Sequence, residues 1–315
     1  MRKQGYAIFM AFILIFALTG CGNKSLLSAK EPVELTMWHV YGEQAGSPMD
    51  TLVEEFNRTE GKEKGVRVKV TELSSAAKIG GFLLETQGDS AQEMPDLFTC
   101  HIGDAIALGE DNLLDWNDWF TAEDMAAYVP GFVQDGIIDG KQVVFPVSKS
   151  TQLIFLNGSQ YARFAADTGA QLSTLATWDG FFEMAGAYRQ WSQGKPFCAL
   201  DYPLRLVELN ALEQGSGELY KGSWYDLTNE TFRASWMEFA RALVQGDILI
   251  SDLYSNTQVM TGETLAGLGS SAAILYYNDF VTYPDNTTEP TDLLLAPLPH
   301  AAGTATPLMP QAGVG

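Results

Sequence analysis

Between residues 33 and 99 the apolar period changes from two to about 3.6 and back again, and no other feature restricts the fold of this chain as much. Val33-Glu34-Leu35-Thr36-Met37-Trp38 alternates, as a half-buried strand does. Ser47-Pro48-Met49-Asp50 then opens a helix, with Ser47 as N-cap, Pro48 at the first helical position and Asp50 in the positive first turn. Met49, Leu52, Val53 and Phe56 recur at helical spacing, so one face of that helix is expected in a core. After a turn at Gly61 to Gly65, Val66, Val68 and Val70 alternate with Arg67 and Lys69 as a second strand. Ala76 to Glu85 is expected to be helical, and Pro95 to Thr99 a third strand. The order βαβαβ requires right-handed crossovers and a parallel sheet. Ligands gather beyond the carboxyl ends of such strands. Trp38, His39, Tyr41, Cys100 and His101 all fall at that edge.

Beyond residue 157 the texture is different and predicts a second core. Helices are expected over Gln160 to Thr168, from Thr177 to Trp191 with Thr177 as N-cap, and from Glu230 to Gln245. The second predicted helix presents Trp178, Phe181, Phe182, Ala185 and Tyr188 on one face, and the third buries Phe232, Trp236, Phe239 and Leu243. Ser271 to Tyr277 and Leu293 to Leu298 are expected as strands. The final residues, PQAGVG, bring no helix to close the last strand, so the fold is expected to be incomplete at its C-terminus.

The first 25 residues pair Arg2 and Lys3 with an apolar run from Tyr6 to Leu18, followed by Leu18-Thr19-Gly20-Cys21. That is the pattern of a secretory signal, too short for a stable span. Small residues before Cys21 resemble a bacterial lipobox, in which residues 1–20 are removed and Cys21 is diacylated. Two acyl chains anchor stably where one is marginal. Residues 21–32 would be the tether. The formal net charge is −20, and losing Arg2 and Lys3 makes it more negative, which excludes nucleic acid and anionic lipid as partners. Cys100 and Cys198 are the only other cysteines. One disulfide is possible between them, but not a disulfide scaffold.

The lipobox, Trp38-His39, MPDLF, LLDWNDWF, FPVSKSTQLIFLN, TWDGFFEMA, GSWYDLT and LLLAPLP occur in an order that resembles the extracellular solute-binding proteins of ABC importers, within them the maltose-binding-like group. The resemblance covers essentially residues 21 to 315. It implies an α/β fold of the two-lobed, type II periplasmic-binding-protein (Venus-flytrap) architecture, with a solute held between lobes joined by strands that cross at a hinge. Lobe I would span 33–147 and lobe II 148–290, with 291–315 returning toward lobe I. FPVSKSTQLIFLN would be the first crossing and LLLAPLP would lie near the return. Members of the group usually continue through further helices. Expected partners are a small solute, a saccharide above all, and membrane permease subunits. The receptor itself would be a monomer without cofactor, tethered outside the cell membrane.

Several residues are candidates for solute contact. Trp38, Tyr41, Trp224 and Tyr225 could stack on the C–H face of a pyranose. Ser148, Ser150, Thr151 and Gln152 supply uncharged donors and acceptors suited to hydroxyl groups. Lys149 could meet an anionic group or simply be solvated. Asp201 follows an apolar run and could face the solute. His39, Cys100 and His101 share one edge and, with Glu43, could in principle bind a transition metal, although no HxxxH or CxxC spacing supports it. The acidic residues Asp115, Asp118, Glu123 and Asp124 suit helix caps and solubility. Two alternatives stay open: a secreted glycoside hydrolase, for which no partnered carboxylates stand out, and a receptor for a metal or a phosphorylated solute. No G-x-S-x-G and no phosphate loop occurs.

Overall fold

A computed structural model describes residues 27–41, 47–72, 76–88, 93–305, 307–310 and 312–315. The leader 1–20, Cys21 and Glu43 lie outside the described residues. The chain divides into two compact units: the first runs to Phe145 and includes Val314 and Gly315, and the second is Pro146–Gly313.

In the first unit, β1 (Val33–His39), α1 (Pro48–Arg58), β2 (Val66–Glu72), α2 (Ala76–Glu85) and β3 (Leu97–Phe98) follow the expected order and α3 (Ile102–Leu108) comes after them, whereas the expected turn at Gly61 to Gly65 is a short helix, Glu60–Lys64, closed by the left-handed Gly65. The strands are ordered β2-β1-β3, and both pairings are parallel. The Ser47 hydroxyl caps α1 by accepting the Asp50 N–H at 3.3 Å. Trp38, Ile79, Leu83, Cys100, Ala105 and Leu108 form the core. One expectation fails here: α1 buries none of its side chains, and Leu52 is among the exposed apolar residues. Met49, Val53 and Phe56 are half-buried, and polar links add to their hold on the helix. The Asn57 amide accepts the Val68 N–H at 2.8 Å and donates to the Val68 carbonyl at 2.7 Å, satisfying a free position of β2.

The unit continues through short helical turns to Phe145, whose ring lies 4.7 Å from Tyr128, 5.1 Å from Phe120 and 6.4 Å from Trp116, centre to centre. Asp115, Thr121 and Asp124 cap these turns: Asp115 accepts the Asn117 N–H, and Thr121 and Asp124 bond each other's backbone. Gly315 exchanges both backbone hydrogen bonds with Cys100, at 2.8 and 3.0 Å.

The second unit opens on β4 (Ser148–Ser150) and β5 (Gln152–Asn157), then α4 (Gly158–Thr168), α5 (Trp178–Trp191), β6 (Cys198–Leu200) and α6 (Pro203–Glu213). It goes on through the hairpin β7 (Tyr220–Lys221) and β8 (Trp224–Tyr225), α7 (Glu230–Gln245), β9 (Ile248–Leu249), α8 (Ser255–Met260), β10 (Ala266–Ser270) and β11 (Leu293–Pro297); the last strand, β12 (Ala312–Val314), begins in this unit, which ends at Gly313. Its main sheet has the order β9-β6-β10-β5-β11. β6 runs parallel to β9 and β10, whereas β5 is antiparallel to β10 and β11. Alternate residues Ile154, Leu156, Cys198, Leu200, Ala266 and Leu268 face a large core built from α4, α5, α6 and α7. On the opposite face Phe155 stacks on Tyr277, 4.7 Å apart, and Val259 of α8 is fully buried.

The expected N-cap of α5 forms. Thr177 accepts the Gly180 N–H at 3.2 Å, and Trp178, Phe181, Ala185 and Tyr188 are buried. Other expectations are corrected. Ser271–Tyr276 is a 3-10 turn, and Ile274, Leu275 and Tyr276 are exposed, because the Ser270 hydroxyl accepts the Ala272 N–H and bends the chain out of the sheet. The strand that occupies the sheet is the glycine-rich Ala266–Ser270 before it. Trp236 and Leu243 are exposed on the flanks of α7, whose buried line is Phe232, Ser235, Phe239 and Ala242. Leu293–Pro297 stays within the second unit's sheet, and the chain re-enters the first unit after Gly313. β12 pairs with β4, and Gly313 lies so close that a Cβ there would stand 2.2 Å from Lys149 Cδ.

Candidate functional site

Register identifies the chemically richest place in the second unit. β6 ends at Leu200, opposite Leu268, while β10 runs on to Ser270, and antiparallel β5 begins opposite that end, with Gln152 opposite Ser270. Thr151, Gln152, Asp201, Ser270 and Ser271 therefore share one sheet edge, at the carboxyl ends of the parallel strands. Thr151 and Ser271 are tied by two bonds: the Ser271 N–H donates to the Thr151 carbonyl at 2.7 Å, and the Thr151 N–H donates to the Ser271 hydroxyl at 3.2 Å. The Thr151 hydroxyl and both polar atoms of the buried Gln152 amide have no partner among the described residues. Each such group costs about 1–3 kcal/mol when left unpaired.

Asp201 reaches across to α8. Its Oδ1 accepts the Ser255 N–H at 2.9 Å and its Oδ2 accepts the Ser255 hydroxyl at 3.0 Å. Burial raises the Asp201 carboxyl above its ordinary value, and the Ser255 hydrogen bonds offset part of that rise. Two glycines of β10 make the room. A Cβ at Gly269 would meet Asp201 Oδ2 at 2.3 Å, and one at Gly267 would meet Ser255 Oγ and the Tyr277 hydroxyl at 2.9 Å. The Tyr277 hydroxyl is buried, and burial pushes it up, offset in part by the neighbouring Ser255 side chain.

Two tyrosines flank this cluster in the open. Tyr202 follows Asp201 directly, is 52% exposed, and holds a left-handed backbone (φ 52°, ψ 50°) just before Pro203 starts α6. A bulky residue there carries roughly 1–2 kcal/mol of strain, which turns its ring outward at the strand end. Tyr254 precedes Ser255 and is 51% exposed. Burial, followed by the neighbouring Tyr254, raises the Tyr202 phenol. The Arg205 guanidinium rests 5.8 Å over the Tyr202 ring.

In the first unit the expected edge residues are likewise neighbours, but mostly inward. Trp38 and Cys100 are core residues. His39 is fully buried, with its Nε2 3.0 Å from Asp50 Oδ1. Its Nδ1 accepts the Tyr41 N–H at 3.2 Å, so the ring proton is on Nε2. Tyr41 is half-buried, its ring 6.0 Å from that of His39. His101 is exposed at the start of α3, where its N–H donates to Asp104. Among the described residues no group of three or more His, Cys, Asp or Glu is placed to hold a metal ion. Cys100 and Cys198 are free and buried, one in each unit, so the possible disulfide is not formed.

The remaining candidates separate. Tyr225 stacks on Phe232 at 5.0 Å and on Tyr220 at 4.8 Å and donates to Glu208 at 2.7 Å, so it supports its hairpin. Trp224, across Gly222 in the same hairpin, is 81% exposed. Ser148 is exposed and Ser150 half-buried in β4. Sequence reasoning missed Tyr202, Tyr254, Ser255 and Tyr277. A Tyr-Pro pair between a strand end and a helix start marks an edge residue and could have pointed to Tyr202. Tyr254, Ser255 and Tyr277 carry no local signal.

Residues 51–302 match the family model of the bacterial extracellular solute-binding proteins. Among curated proteins none matches. Solved structures with a similar fold include the cyclic alpha-maltosyl-1,6-maltose binding protein of Arthrobacter globiformis (TM-score 0.64, 17% identity, 90% of this chain and 69% of that one). An ABC substrate-binding protein of Listeria monocytogenes in complex with cycloalternan has TM-score 0.69 and 14% identity, over 90% of this chain and 70% of that one. UgpB of Mycobacterium tuberculosis in complex with glycerophosphocholine has TM-score 0.66 and 17% identity, over 90% and 69%.

Proposed function

The chain belongs to the bacterial extracellular solute-binding proteins, and from that premise we propose that it is a lipid-anchored receptor that captures a carbohydrate and passes it to an ABC-type importer. The observation that carries the carbohydrate reading is the edge of the second unit. Two half-exposed tyrosine rings stand beside a carboxylate, hydroxyls and an unsatisfied amide. Aromatic faces meet the C–H faces of a pyranose, while the polar groups pair with its hydroxyls. Two solved structures of similar fold, the cyclic alpha-maltosyl-1,6-maltose binding protein and the one in complex with cycloalternan, support the same class. Anchoring rests on Leu18-Thr19-Gly20-Cys21 and the apolar leader before it. In this reading the receptor is a monomer that binds and releases its solute unchanged, without cofactor.

A thermal-shift screen of mono- and oligosaccharides, with chromatography of the recovered sugar, tests it. Ligand at about 100 times its Kd adds about 2.7 kcal/mol of stability, a readily seen rise in Tm. The expected result is a raised Tm with intact sugar. Cleaved sugar, or no shift with any saccharide, overturns the reading.

A further inference from the structure

Asp201 is a mostly buried carboxylate with no ion-pair partner among the described residues. Its hydrogen bonds come from the Ser255 N–H and hydroxyl, which are neutral donors and leave its formal charge uncompensated. Its titratable neighbours Cys198, Tyr202 and Tyr277 supply no positive charge, and the nearby Arg205 is turned onto the Tyr202 ring. A carboxylate accepts at about four sites, and Ser255 occupies two. The backbone holds the group in place: Gly269 leaves it room, and a side chain there would collide with it. On either side stand Tyr202 and Tyr254, each about half exposed, and one of those rings already carries a guanidinium on its face. An unpaired charge kept at the mouth of a sheet, next to exposed aromatic rings, is the environment that favours a bound cation. The strongly negative chain adds a field of the same sense.

We propose that the solute taken at this edge carries a cationic amine, an amino sugar being the carbohydrate form, with its ammonium group against Asp201 and its carbon skeleton against Tyr202 and Tyr254. The inference rests on the receptor reading above and narrows it from carbohydrates in general to amine-bearing ones. Ser255 is then a positioning residue, holding the carboxylate toward the solute while the free acceptor sites of Asp201 meet the ammonium protons.

The test is calorimetric titration of the full chain with glucosamine oligosaccharides, with the same oligomers N-acetylated, and with glucose oligomers of equal length and linkage. The wild type and Asp201→Asn are compared at pH 7 in low and high salt. The expected result is at least tenfold tighter binding of the free-amine oligomer, weakened by salt, with the preference lost in Asp201→Asn. Should that variant not fold, the wild-type preference and its salt dependence decide alone. Equal affinity for the three oligomers, or a preference surviving Asp201→Asn, overturns the amine inference and leaves the receptor reading standing. No binding of any of these oligomers overturns the amine inference as well, while the receptor reading is decided by the saccharide screen.

Discussion

Asp201 and Gly269 share a space that admits only one side chain: a Cβ on Gly269 would stand 2.3 Å from Asp201 Oδ2. Gly269 is thus a glycine for reasons of room, and Gly269→Ala must displace the carboxylate or part β10 from β6. Overpacking of this kind costs typically about 1–3 kcal/mol. Urea unfolding should show that loss, and solute affinity should fall with it. A variant as stable as the wild type, binding equally well, would contradict the account of this cluster.

The pH dependence of Asp201 follows from its burial. Because its folded pKa is raised above the unfolded value near 3.8, the folded state takes up a proton first as pH falls. The wild type should therefore gain stability relative to Asp201→Asn as pH drops through the range just above 3.8, with the gain complete below it. Urea unfolding of both proteins at pH 7 and at pH 4 measures this. A relative loss on acidification would contradict the burial argument.

Much of the first unit was legible because its signals are local. Ser47-Pro48 marks the start of α1, and Val66, Val68 and Val70 mark β2 by alternation. The failures have two physical sources. Gly267 and Gly269 hide β10, since glycine lacks the strand preference that alternation relies on, while the apolar SAAILYY after it imitates a strand. The periodic face of α1 was misread because pattern shows amphipathicity but not what covers it, and Asn57 bonding to Val68 adds to the hold of the half-buried Met49, Val53 and Phe56. In the candidate site Asp201 was legible from its place after an apolar run. Its partner Ser255 lies 54 residues away in sequence, and only the fold reveals that pairing.

Glu213, at the end of α6, accepts hydrogen bonds from His300 Nδ1 at 3.0 Å and from the Ala301 and Leu308 N–H groups, each at 2.7 Å. Its side chain is almost wholly buried. Glu213→Ala strands three donors and should destabilise the protein by roughly 3 kcal/mol, since bonds to a charged acceptor are worth about 1.5–3 kcal/mol each before partial recovery by water. Hydrogen exchange should accelerate at Ala301 and Leu308 specifically. Unchanged protection there would contradict the clamp.

Cys100 and Cys198 should be inert in the folded protein. Burial pushes the Cys100 thiol up to about 12 and Cys198 well above its ordinary value. At pH 8 the Cys100 thiolate would be roughly one part in ten thousand. Iodoacetamide at pH 8 should leave both unlabelled by peptide mass spectrometry and label both in urea. Rapid labelling of either in native buffer would contradict the packing around it.

The most direct test of the central claim is equilibrium titration of wild type and of Tyr202→Ala/Tyr254→Ala with the best saccharide from the screen. Each aromatic contact adds about 0.5–1.5 kcal/mol beyond area. The wild type should bind intact sugar saturably, and the double variant at least tenfold more weakly while its ligand-free Tm is retained. Equal affinity in the two proteins would contradict that claim.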